Sequence, residues 1–115
     1  MNYEVFLKST LNIDKEAHAA AEAVAHLVRR GHVDDAGGAL IEEYAQDLTD
    51  IKKQTLEAAK MVAALQNPDA KRVFECRYIH KLPWEEVAEI VNFSVVQVHR
   101  LHRKGIKWLE QHYDR

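Results

Sequence analysis

Apolar and small residues recur along this chain in alternating steps of three and four, first over residues 2–30 and again over residues 39–66. In the first stretch Tyr3, Phe6, Thr10, Ile13, Ala17, Ala20, Val24 and Leu27 fall on one stripe. In the second, Ile41, Tyr44, Leu48, Ile51, Thr55, Ala58, Val62 and Leu65 do the same. This spacing predicts two long amphipathic helices, each with a heptad seam. The stretch between them, GHVDDAGG, is rich in turn formers. Gly31 is placed to stop the first helix just after Arg29 and Arg30, whose charges suit a helix C-terminus. Two helices of about 28 residues, each roughly 42 Å long, fold back on a short loop as an antiparallel hairpin. That fold sets small Ala17 and Ala20 near Leu48 and Ile51.

Downstream the spacing shortens. Asn67-Pro68-Asp69 ends the second helix, because the residue before proline avoids the α region. Asp69 is expected to cap a third helix running to about His80. Lys81-Leu82-Pro83 is the next break, Trp84 to Val91 a short helix, Asn92-Phe93 a tight turn, and Ser94 the cap of a last helix reaching about His112. The expected fold is all-α: a long antiparallel helical hairpin over residues 1–66, then a compact three-helix helix-turn-helix module over residues 67–115.

Charge changes the picture of that module. The whole chain carries a net charge of −2, which taken alone argues against a nucleic-acid binder. Residues 1–70 hold seven lysines and arginines against twelve acids, whereas residues 71–115 hold nine against six. Between Ser94 and Leu109 stand Arg100, Arg103, Lys104 and Lys107, with no acid among them. A basic stripe on one helix of an otherwise acidic chain is the footprint of phosphate contact.

The module's small details fit that reading. Ala88 allows two helices to cross closely, and Asn92 suits a left-handed turn. Val87, Ile90 and Val91 face Val98 and Leu101 as packing partners. With Ser94 as cap, the exposed start of the last helix leaves Val95, Val96, Gln97, Arg100 and Arg103 for DNA. Gln97 and Arg100 are expected to read base edges, Val96 to touch a thymine methyl, and Arg103, Lys104 and Lys107 to hold phosphates.

The segment from Asp69 to Leu109 resembles region 4 of sigma-70-type factors, and more closely small phage-encoded sigma-like regulators. The residues that carry the likeness are Arg77-Tyr78, Trp84-Glu85-Glu86-Val87-Ala88, Ser94 and Gln97-Val98-His99-Arg100-Leu101-His102. It implies sequence-specific binding of double-stranded DNA in transcriptional regulation, by a protein of phage or prophage origin. The departures are Pro83, where such proteins often carry a capping serine, and Asn92 in place of the usual turn glycine. The acidic hairpin is too small to grip polymerase and melt a promoter as a complete initiation factor does.

Other chemistry finds little footing. Glu85 and Glu86 are adjacent and face different sides of a helix, Cys76 has no partner for a disulfide or a nucleophilic dyad, and His99 and His102 lack further metal ligands. Neither catalysis nor a cofactor or metal is expected. Trp84 and Tyr78 are expected in the core, and Arg77 in an ion pair with Glu86. The lack of a long apolar run and the single cysteine point to a cytoplasmic protein away from membranes. Leu7, Leu11, Val28, Leu40, Leu56 and Met61 flank the seams as surplus apolar surface. They make the hairpin the expected assembly element, forming a homodimer or docking on RNA polymerase. A DNA-packaging subunit similar to small terminases, or a module that grips polymerase in place of DNA, are the other readings.

Overall fold

Asn2 starts the first helix, its side chain accepting a hydrogen bond from the Val5 amide at 3.1 Å. The computed structural model describes residues 2–31 and 35–113, the side chains of residues 35–37 excepted. It is all-α, with no strand among the described residues. The helices are α1 (Tyr3–Ser9), α2 (Ile13–Arg29), α3 (Asp35–Ala64), α4 (Pro68–Phe74), α5 (Trp84–Val91) and α6 (Val95–His112). None is long and apolar enough among these residues to cross a membrane.

The first predicted helix is in fact two. A 3₁₀ turn at Thr10–Asn12 separates α1 from α2. Thr10 lies at the break with its hydroxyl donating to the Leu7 carbonyl at 2.7 Å, a local bond that competes with the regular helix ladder. Gly31 ends the segment as the sequence suggests, with a left-handed φ of 73° and its amide on the Val28 carbonyl. The middle of the predicted loop, residues 32–34, lies outside the described residues.

The chain divides into two compact units. One comprises residues 1–11 and 57–115, the other residues 12–56, so α3 contributes its last turns to the first and the rest to the second. The first unit has a closed core. Tyr3 and Leu7 of α1 pack with Met61, Val62 and Leu65, with Phe74 and Tyr78, and with Ile106 and Leu109 of α6. Leu7, Met61, Phe74 and Leu109 are wholly buried. A second cluster joins Val73, Cys76, Val87, Ala88 and Val98, with Trp84, Phe93 and Leu101 against it.

The start of α4 differs from expectation. Asn67, and not Asp69, is the cap: its side chain accepts from the amides of Asp69 at 2.9 Å and Ala70 at 3.1 Å. Pro68 then fills the first helical position, where its missing N–H costs nothing. Beyond Phe74 the helix widens into a π turn over Glu75–Ile79, in which Cys76 and Tyr78 both stay buried.

In the second unit α2 and α3 form the arms of the hairpin. They line an open groove of about 560 Å³ in which Ala20 and Ile51 sit on the same wall set, as the predicted fold-back requires. Only Ile13 and Ala20 of α2 are buried, and none of residues 38–56 is.

Candidate nucleic-acid interface

Asn92 makes the turn between α5 and α6. Its backbone is left-handed, φ 61° and ψ 42°, and its amide caps the carbonyls of Ala88 and Glu89. Phe93 follows with its amide on the Ala88 carbonyl at 3.1 Å, so the last carbonyls of α5 are satisfied by backbone. Pro83 precedes α5 without a side-chain cap. α6 starts in a reciprocal capping box: the Gln97 amide donates to Ser94 Oγ, and the Ser94 amide to Gln97 Oε1, each at 3.2 Å.

This box modifies the role expected of Gln97. Its side-chain oxygen is occupied by the cap, which leaves the amide –NH₂ as the group free to meet a base edge. A two-pronged contact with adenine requires the cap to open.

The buried face of α6 comprises Val98, His102, Gly105, Ile106 and Leu109. At about 100° per residue, Val96, Arg100, Arg103, Lys104 and Lys107 fall on the opposite face. All five are exposed, together with Ser94 and Gln97. Val96 is 65% exposed, an aliphatic side chain presented to solvent beside the cap. The fold thus puts every candidate DNA-binding residue on one accessible surface and assigns none of them to packing.

Behind this surface lies an aromatic box. His102 stacks on Phe74 with ring centroids 5.0 Å apart, meets the edge of Trp84 at 5.1 Å, and shares a 2.6 Å hydrogen bond through Nε2 with the Tyr78 hydroxyl. Burial pushes the His102 imidazole down to about 4 and the Tyr78 phenol up to about 12. At neutral pH the phenol is therefore the donor and the uncharged imidazole the acceptor. His99 lies against Trp84 at 4.7 Å. Gly105 is needed where α6 crosses Phe74, because a Cβ there would meet Phe74 Cζ at 2.6 Å.

Arg77 does not pair with Glu86. Its guanidinium lies over the Trp84 ring, 4.6 Å from the centroid, and Nη1 donates to the Leu82 carbonyl at 2.9 Å. Glu86 is exposed on α5. The helix-to-helix geometry brings the indole face under Arg77, and the loop carbonyl gives it a desolvated acceptor. The loop is also where the sequence reading missed a feature: Lys81 is left-handed, φ 58°. Trp84 in the core and Tyr78 beside it are as expected, the first half-buried and the second buried.

Residues 29–110 match the family described as Protein of unknown function (DUF1492), and the chain belongs to that family. No curated protein and no solved structure matches it.

Proposed function

We propose that this member of the DUF1492 family is a non-enzymatic, cytoplasmic DNA-binding protein that uses α6 to recognise double-stranded DNA in transcriptional regulation. The observation that carries this reading is the exposed face of α6, which is basic, free of acid from Ser94 to Leu109, and opposite the buried face. Arg103, Lys104 and Lys107 hold phosphates; Arg100, the Gln97 amide and Val96 meet base edges. The likeness to sigma-70 region 4 and to phage-encoded sigma-like regulators supports a promoter-proximal role and a phage or prophage origin. The half-open hairpin supports an assembly role, as homodimer or as a contact with RNA polymerase.

The test is the salt dependence of binding to a random-sequence duplex. Arg103→Ala with Lys104→Ala should weaken binding to all sequences and flatten the slope of log affinity against log salt by about one unit per lost contact. A slope that does not move would reduce the stripe to a solvated helix face. Selection of duplexes from a random pool should then return a common core, and loss of that core with Arg100→Ala identifies Arg100 as a base reader.

A further inference from the structure

Within the first unit, α6 and the junction of α3 with α4 enclose a cavity of about 170 Å³. Leu65, Ala70 and Gly105 line it as buried residues, and Trp108 as a half-buried one. Ala70 and Gly105 are small and so leave room beside Leu65 and the indole. The remaining lining comes from Gln66, Asn67 and Lys104, all exposed, which form the rim.

The walls and the rim call for different chemistry. An apolar cavity of about 150 Å³ admits one benzene ring, so this one has room for a single ring and little more. Trp108 supplies an aromatic wall, with its indole set against His112 at a centroid distance of 5.1 Å, and such rings favour aromatic neighbours. At the rim, Lys104 has no acidic partner among the described residues. Asn67 Oδ1 accepts from the amides of Asp69 and Ala70, which leaves its –NH₂ as a donor. No carboxylate lines the cavity. A cation and an amide donor beside an apolar slot select an anion with a flat apolar body. Inorganic phosphate has no such body, and a neutral ring makes no use of the ammonium.

We infer that this cavity binds a small aromatic carboxylate, its ring beside Leu65 and the Trp108 indole and its carboxylate at Lys104 and the Asn67 amide. Lys104 is also one of the phosphate holders proposed for α6, so the bound acid neutralises a charge that a duplex would engage. This competition rests on the DNA-binding reading; the binding of the acid does not.

Titration of the full chain with sodium benzoate at constant ionic strength, up to about 20 mM, tests it without DNA. The readout is the indole N–H signal of Trp108 in NMR spectra, identified with Trp108→Phe. Benzoate should shift this signal saturably and leave that of Trp84 in place. Benzamide, of the same shape without the charge, should bind about threefold to fivefold more weakly, the range set by an exposed ion pair. Lys104→Met should bring benzoate down to the level of benzamide and leave benzamide unaffected. Lys60→Met, which removes the same charge from an exposed site outside the cavity, should change neither. No saturable shift, equal binding of the two probes, or equal losses in the two lysine variants would each overturn the inference. Duplex binding by the same samples keeps the two proposals apart. A protein that takes benzoate and no duplex ends the DNA reading and leaves this one standing, and one that binds duplex and no benzoate does the reverse.

Discussion

The two compact units are built from helices of the same kind yet close in different ways. In the first, α1, the end of α3, α4 and α6 meet through bulky side chains, and six of these side chains are sealed from solvent: Leu7, Met61, Val73, Phe74, Val98 and Leu109. In the second, two helices share an alanine-rich seam whose residues are mostly half-exposed. A pair of helices has one mutual face, so most of its seam keeps some surface outside; a third and fourth helix are required to close it. Stability should therefore reside in the first unit, and dependence on partners in the second.

Core truncation is the strongest way to break that contrast. Phe74→Ala should cost about 3–5 kcal/mol in chemical denaturation, because the ring is wholly buried between α4 and α6. Leu48→Ala in the second unit should cost under about 1 kcal/mol in dilute solution, where the side chain is already half in water. Equal losses would show that the hairpin is closed as tightly as the module. A Leu48→Ala effect that grows with protein concentration would sharpen the contrast by linking the seam to assembly.

The next effect is acid sensitivity of the first unit. Burial holds the His102 imidazole near 4, with weaker contributions from Glu4, Lys8, His99 and Arg77 around it. The unfolded imidazole takes a proton below about 6.5, whereas the folded one resists it to about 4. The associated stability is thus complete above pH 6.5 and is lost as pH falls towards 4, by up to about 3 kcal/mol. Unfolding by urea across that window should show the slope, and His102→Gln, which can still accept from Tyr78, should remove most of it. A variant with the full slope intact would place the acid sensitivity elsewhere.

Smaller changes probe how the module is joined. Gly105→Ala forces Phe74 to move and should destabilise by about 1–3 kcal/mol, less the gain in helix propensity. Ser94→Ala removes one half of the capping box and should cost about 1 kcal/mol. It leaves the backbone amide of residue 94 on the Gln97 oxygen, so duplex selection with this variant should show an unchanged preference at the position Gln97 reads. A changed preference would mean that the Ser94 hydroxyl sets how Gln97 is presented.

Much of this molecule is determined by the chain over spans of four residues or fewer, and those parts were legible. Ser94 with Gln97, Asn92 in its left-handed turn, Gly31 as a stop and the limits of α5 and α6 follow from bonds between near neighbours. So does the exposed basic face of α6, because helical spacing alone separates it from Val98, Ile106 and Leu109. The rest required distant groups to meet. The stripe over residues 2–30 reads as one helix, yet Thr10–Asn12 breaks it and α1 joins the far end of the chain against α6. Asn67 outcompetes Asp69 as a cap because Pro68 takes the first helical position. Arg77 has an acid within reach in the sequence and settles on Trp84 and the Leu82 carbonyl, since the packing of α4, its π turn and α5 decides which acceptor it meets. Periodicity tells which residues seek cover; only the tertiary arrangement decides which of them find it, and it leaves Val28, Leu40 and Leu56 in solvent while burying Leu7 and Met61.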